Sequence, residues 1–297
     1  MARKRILVTG GSGFIGSAVA ARLSAEGHRV IVYADVINDD LTRSSIDCIK
    51  GNIFNKNHLL RALEKCDAVI HAIGLPGVDL AKINPDASFE LNVRSVQVAL
   101  EAMRQAGLRR FILFSSAAVY GTVKMNPITE EVAPAPCNIY GYHKFIGEKI
   151  AQSYSASFNF QVTVVRPFNI YGIGEHGLLR LFITKAKNDR LIPVSGQNQL
   201  RDFVHVDDVA NATASLIKLR HPFEVFNIGT GKGRRIGHIA RMVNKLLPNA
   251  QIVKRRQLFH CYHSVANVSK IKDAIEYSPN DTDEKIKEVM LDLIKIN

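Results

Sequence analysis

The run Thr9-Gly10-Gly11-Ser12-Gly13-Phe14-Ile15-Gly16 constrains this chain more than any other segment. It follows the apolar stretch Arg5 to Val8 at once and opens a helical pattern over residues 14–26. Glycines at 10, 13 and 16 permit a tight turn, close backbone approach to a pyrophosphate and close packing of helix on strand. The helix N-terminus adds free N–H donors and positive potential, so strand, turn and helix together predict a dinucleotide site. Asp35 stands 19 residues after Gly16, at the end of the second apolar run. A carboxylate there accepts from both ribose hydroxyls of NAD and repels a 2′-phosphate. The same residue also reads as a turn aspartate ahead of Asn38-Asp39-Asp40.

Further short apolar runs recur at Val30 to Tyr33, Ile46 to Ile49, Ala68 to His71, Phe111 to Phe114 and Val162 to Val165. Their lack of polar alternation reads as strands buried on both faces. Helix-length patterns at 57–65, 86–106 and 139–157 lie between them, which predicts an α/β fold with a doubly wound parallel (Rossmann) sheet. Beyond Arg166 the rhythm changes to a Gly-containing loop, a helix near 178–188 and shorter mixed elements. The expected organisation is a dinucleotide-binding domain over 1–166 and a smaller α/β substrate lobe over 167–297.

Composition excludes several classes. With 46% hydrophobic and 22% charged residues in 297, the chain is neither disordered nor a disulfide-dependent miniprotein. No apolar run approaches the ~18 residues of a membrane span, and Thr9 to Gly13 breaks the apolar stretch a secretory signal needs. Cys48, Cys66, Cys137 and Cys261 show no Cys-x-x-Cys spacing, which suits a reducing, cytoplasmic compartment. The net charge of +12 favours anionic partners, but the basic residues come in short pieces without interleaved aromatics. A phosphorylated small molecule therefore fits better than nucleic acid. His260-Cys261-Tyr262-His263 offers no second ligand pair, so no metal site is expected.

A second constellation opens the 139–157 pattern: Tyr140 and Lys144 are four apart and share a helix face, whereas Tyr142 points elsewhere. An ammonium beside a phenol, helped by a nicotinamide cation, lowers the phenol's pKa and makes it a usable base. Ser115-Ser116 end a buried strand at the edge where parallel sheets bind ligands, within reach of handing Tyr140 a proton. Spacing alone describes an ordinary surface pair equally well.

These residues, with Val119-Tyr120-Gly121, resemble the extended short-chain dehydrogenases/reductases, specifically the NAD-dependent nucleotide-sugar epimerase/dehydratase family. Asn52-Ile53, His71-Ala72-Ile73-Gly74 and Asn92 are similar to its cofactor-side pattern. Arg166-Pro167-Phe168-Asn169-Ile170-Tyr171-Gly172, Arg201 to Val209 and Phe226 to Gly231 are similar to its substrate lobe. The resemblance implies Ser116, Tyr140 and Lys144 as catalytic residues. It puts bound NAD on Gly10, Gly13 to Gly16, Asp35, Asn52, Ile53, Ala72 to Gly74, Asn92, Tyr140, Lys144 and Pro167. It also implies a UDP-linked sugar on Ser116 and Asn169, with Arg201 and Arg256 on the phosphates, and a homodimer paired through helices 86–106 and 139–157. Two departures stand out: relatives carry their acidic residue at the position of Ala34, and Gln257-Leu258-Phe259 replaces the usual Pro-Gly-Asp after Arg256.

Within that family the reaction is argued from what is missing. A 4,6-dehydratase needs an acid and a base to remove water across C5 and C6, and relatives with that activity have Thr-Asp-Glu where this chain has Ser116-Ala117-Ala118. Methyl groups move no protons, so 4-epimerisation through a transient 4-ketone is expected. The alternatives are an NAD(P)-dependent 4-reductase or a dehydratase, and a noncatalytic cofactor-sensing or RNA-binding member of the fold. Any further acid or base is to be sought at Cys137, Glu175 or His176.

Overall fold

Ile6, Leu7 and Val8 have no exposed surface, and successive side chains on this strand enter different cores. Ile6 and Val8 pack with Val19 and Leu23, whereas Leu7 packs with Ile31, Leu59 and Leu100. A strand covered on both faces requires helices on each side of its sheet. The computed structural model, which describes residues 3–38, 46–255 and 263–296, has that architecture.

The elements run β1 (Arg5–Thr9), α1 (Phe14–Ala25), β2 (Arg29–Ala34), β3 (Asp47–Lys50), α2 (Lys56–Ala62), β4 (Ala68–His71), α3 (Val78–Ile83) and α4 (Pro85–Phe89). A π-helical turn, Glu90–Arg94, joins α4 to α5 (Ser95–Gln105); then come β5 (Arg110–Phe114), the 3-10 turn Ala117–Tyr120, α6 (Ile139–Phe158) and β6 (Gln161–Pro167). The rest comprises β7 (Asn169–Tyr171), α7 (Leu178–Asn188), β8 (Leu191–Ser195), β9 (Leu200–His205), α8 (Val206–Leu216) and β10 (Phe223–Ile228). It closes with β11 (Gly233–Arg235), α9 (Ile236–Leu246), β12 (Gln251–Arg255), β13 (His263–Ser264), α10 (Ser269–Ala274) and α11 (Asp283–Ile296).

Seven parallel strands form the main sheet in the order β10-β6-β5-β4-β1-β2-β3. The order reverses direction between β1 and β4, so a crevice opens at their carboxyl ends. Residues beyond 166 contribute to this layer too: β10 pairs with β6, and α8 packs on α1. The break in rhythm at 166/167 therefore marks a change of element lengths, and the sheet crosses it. Arg110, 2% exposed at the start of β5, donates to Leu216 O (2.6 Å), Gln161 O (3.1 Å) and Ile217 O (3.3 Å). It thus closes the carbonyl end of α8 with a cation.

The smaller lobe joins β11, β9 and β13, with β7 added on β9, and pairs β8 with β12. α7, α9 and α11 cover its core of Phe182, Ile239 and Met290. Asp202 ties this lobe to the main sheet. Its buried carboxylate accepts from Thr230 N (2.8 Å), Thr230 Oγ1 (2.7 Å), Gly231 N (2.9 Å) and Ala266 N (3.1 Å).

The single helix expected over 86–106 runs unbroken from Pro85 to Gln105, with a π-helical turn at Glu90–Arg94. Ser95 Oγ donates to Leu91 O (2.7 Å) and meets His71 Nε2 (3.0 Å), drawing the π turn onto the end of β4. Such turns interrupt the helical ladder without ending the helix, and this one buries Asn92 and Val93.

Candidate active site

At the switch point, Gly10 adopts φ +70°, and a Cβ there would stand 2.9 Å from Ile73 N. A Cβ on Gly16 would lie 2.2 Å from Gly10 O, so only glycine lets α1 start this close beneath the turn. Gly13 caps α1 without a side-chain bond, leaving its first N–H groups free for an anion. Phe14, Ile15, Gly16, Ala72, Gly74 and Pro167 line a cleft of about 470 Å³ together with Ser116, Tyr140, Lys144 and Asn169.

Asn92, 2% exposed, donates through Nδ2 to Leu75 O and Ser88 Oγ (both 3.2 Å), while its Oδ1 is buried without a partner. A Cβ on Gly74 would stand 2.6 Å from that oxygen and 2.8 Å from Lys144 Nζ. The glycine cradle, the free helix N-terminus and this orphaned acceptor fit a dinucleotide. Other residues expected at the cofactor make these contacts within the protein. Ile53 is buried in the core, Ile73 packs beside it, and Asn52 turns its Oδ1 to Phe54 N (2.9 Å). Asp35 is exposed just past β2 and accepts from Val36 N (3.0 Å).

Asn138 caps α6 by accepting from Gly141 N (2.9 Å), which sets Tyr140 and Lys144 in the first two turns on the cleft side. Tyr142 is 53% exposed on the opposite side. Lys144 Nζ donates to Phe114 O (3.0 Å) and lies 6.0 Å from the Tyr140 ring centre. Burial pulls the Lys144 ammonium down to about 8, partly opposed by Glu148. Burial also raises the Tyr140 phenol, while hydrogen bonds with Ser116 and the Gly77 backbone pull the other way. Among the chain's own groups burial wins, so the depressed phenol expected from the lysine is not reached without a further positive charge. Ser116 Oγ accepts from Ala118 N (3.1 Å), capping the 3-10 turn.

The neighbouring Ser115 has a different task. Its hydroxyl donates to Glu148 Oε1, and Arg166 grips the same carboxylate through Nε (2.9 Å) and Nη2 (2.6 Å). The Arg166 guanidinium lies 4.8 Å from the Tyr120 ring centre, and Tyr120 Oη donates to Asn227 Oδ1 (2.7 Å). Burial works against the Arg166 charge, yet the bonds to Glu148 leave its pKa raised.

On the distal side, Asn169 donates to Asp202 O (3.0 Å) from the cleft wall. Arg201 spends its guanidinium on Leu200 O (3.1 Å) and Gln199 Oε1 (3.0 Å) and does not line the cleft. Arg256, Cys261 and the segment between them lie outside the described residues. Among the described residues no group of three or more His, Cys, Asp or Glu is placed to hold a metal, and no helix is long and apolar enough to cross a membrane. Sequence reasoning missed Leu75, Pro76 and Gly77 as cleft wall; the signal was the loop after β4. Of the three reserve acid/base residues, Glu175 and His176 line the cleft and Cys137 is exposed outside it.

Comparison with known proteins matches residues 6–229 to the NAD dependent epimerase/dehydratase family. An uncharacterized protein of Sinorhizobium fredii, y4nG, is 31% identical over 243 residues, which cover 82% of this chain and 60% of that protein. UDP-glucose 4-epimerase of Yersinia enterocolitica is 32% identical over 289 residues, covering 84% of this chain and 86% of the relative. UDP-glucuronic acid 4-epimerase from Bacillus cereus, solved with UDP-glucuronic acid and NAD, superposes with a TM-score of 0.87 at 27% identity, covering 98% of this chain and 99% of that one.

The expectation that Asp35 meets the cofactor ribose is testable at the end of β2. Asp35→Arg removes a ribose acceptor and adds a phosphate partner, so it should shift the NADP-to-NAD affinity ratio toward NADP by about tenfold, the equivalent of about 1.4 kcal/mol. Fluorescence titration with each cofactor measures it, and an unchanged ratio reduces Asp35 to the turn residue its bond to Val36 N suggests.

Proposed function

Because the chain belongs to the NAD dependent epimerase/dehydratase family, we propose that it is a nucleotide-sugar 4-epimerase acting on a UDP-linked sugar with tightly held NAD. The observation that carries this reading is the 3-10 turn after Ser116, where Ala117 and Ala118 supply neither acid nor base; Ala117 packs against the hydrophobic core and neither alanine lines the cleft. Removing water from a sugar calls for an acid and a base beyond Tyr140; inverting C4 does not.

When bound, NAD supplies a reversible acceptor for the hydrogen on C4. Tyr140 takes the C4 hydroxyl proton and gives it back. Ser116 orients that exchange through its hydroxyl, and Lys144, pinned to Phe114 O, stabilises the phenolate with its buried ammonium. Gly13 to Gly16 and Pro167 would hold the cofactor, with Asn92 Oδ1 as a waiting acceptor; Asp35 would meet its ribose. Asn169 would hold the sugar nucleotide. For Arg201 to reach a phosphate it must leave Leu200 O and Gln199, and Arg256 is its proposed companion.

The same reading includes a homodimer. Phe89, Tyr142 and Ile146 are exposed apolar residues on α4 and α6, with Leu80 and Ile83 of α3 nearby. Pairing these helices with a second copy covers them, and sedimentation at micromolar concentration should give a dimer; a monomer removes this part.

Incubation with UDP-, dTDP- and GDP-sugars, followed by chromatography, should yield a 4-epimer without net cofactor reduction. Tyr140→Phe should lower turnover by about 100-fold or more while retaining cofactor, and Tyr142→Phe should change it by less than about threefold. A 4-keto-6-deoxy sugar as product, or equal losses from the two changes, contradicts the assignment. Consumption of cofactor would point to a 4-reductase.

A further inference from the structure

Glu175 is a buried carboxyl for which the chemistry above has no use. It is 2% exposed, yet it lines the same cleft as Ser116, Tyr140 and Lys144. Its two oxygens accept from the backbone at the start of α7, Oε1 from Arg180 N (2.7 Å) and Oε2 from Gly177 N (3.2 Å). The loop that carries it rests on the cofactor side: Cβ atoms placed on Gly172 and Gly174 would meet the Phe14 ring at 3.1 Å and 3.6 Å. Glu175 therefore stands where the glycine turn, the catalytic pair and the first turn of α7 converge.

The charges around it are few. His176 adjoins it on the loop, Arg180 in the first turn of α7 is the cation that acts on it, and Tyr140 and Lys144 line the same cleft from α6. Phe14 of α1 and Phe203 of β9 present apolar rings to the same cleft. Burial outweighs the two backbone bonds and the Arg180 charge, and pushes the carboxyl up to about 7. An anion entering the cleft acts in the same direction as burial, because two negative charges in a poorly solvated space repel.

We propose that Glu175 is a substrate-positioning residue that takes up a proton from solvent when the diphosphate of the nucleotide sugar enters the cleft, so that a neutral acid faces the bound anion. This rests on the nucleotide-sugar reading of the cleft. The proton belongs on Oε2, which holds the longer of the two backbone bonds; once protonated, that oxygen donates toward the ligand, while Oε1 keeps Arg180 N and the start of α7 in place. Glutamine is the shape of that neutral acid, with one acceptor and one donor end.

Calorimetric titration of the NAD-loaded protein with UDP-glucose, whose charge is constant from about pH 6 to 9, tests this in two buffers of different ionisation enthalpy. The wild type should take up roughly 0.7 proton per site at about pH 7.5, and its Kd should weaken by up to about tenfold per pH unit above that. Glu175→Gln should abolish the uptake, flatten the pH dependence and bind more tightly than wild type at about pH 8.5, whereas Glu175→Asp should restore uptake. Absence of uptake in the wild type overturns the proposal even if a variant fails to fold, and loss of uptake in Glu175→Gln assigns the proton to Glu175 and not to Lys144, which lies at about 8 in the same cleft. Binding without buffer-dependent heat, or uptake that persists in Glu175→Gln, overturns the role of Glu175 alone. Absence of binding at every pH in wild type and variants overturns the nucleotide-sugar reading and this inference with it.

Discussion

The buried pair of Glu148 and Arg166, 3% and 5% exposed, is the interaction on which the arrangement of the site depends. Glu148 lies one helical turn beyond Lys144 and two beyond Tyr140, on the same face of α6. Arg166 comes from β6, Ser115 from the end of β5, and both converge on the one carboxylate. The rotation of α6 about its axis is thereby locked to the carboxyl ends of the two central strands. Removing one partner of such a pair costs about 3–5 kcal/mol, because the other is left charged in a poor solvent. Exchange of both for apolar residues costs far less, so the pair is better understood as setting orientation than as adding stability.

From this anchor the other polar contacts follow in sequence. Arg166 lies over Tyr120, Tyr120 donates to Asn227, and Asn227 Nδ2 donates to Ile128 O (2.9 Å). On the opposite flank His71 bridges Thr9 Oγ1 (2.8 Å) and Ser95 Oγ (3.0 Å), and burial lowers its pKa to about 3. A neutral imidazole there joins the strand that feeds the glycine turn to the helix that carries Asn92. The motif residues of the chain thus divide into a few that face the cleft and a larger set that hold those few in position.

That division explains what was legible in the sequence. The six apolar runs were visible because a strand buried on both faces leaves an unbroken hydrophobic signature, and α7 because its apolar positions keep helical spacing over residues 178–188. β10 was hidden: its first half is only partly buried at the sheet edge, and nothing local assigns it to β6. The π turn was hidden because the contact of Ser95 with His71, 24 residues away in sequence, decides it. At the site, Tyr140, Lys144 and Ser116 were recognisable as a constellation, yet the distinct work of Ser115 follows from its bond to Glu148, 33 residues away in sequence. Arg201 is the reverse case: its residue type and motif suggest a phosphate, while its bonds to Leu200 O and Gln199 Oε1 are invisible in the sequence. The burial of Glu175 depends on a loop path that no local pattern encodes.

The central claim is that one tyrosine, held by this framework, removes and restores a single hydroxyl proton while the hydrogen on C4 stays out of contact with water. Turnover in deuterium oxide, with the product read by mass spectrometry and NMR, measures that claim directly. The account predicts a 4-epimer with no deuterium on carbon. Deuterium bound at C3, C5 or C6 would contradict it, because dehydration or epimerisation at a neighbouring carbon must exchange hydrogen with solvent, and the methyl groups of Ala117 and Ala118 would then not describe the chemistry of the site.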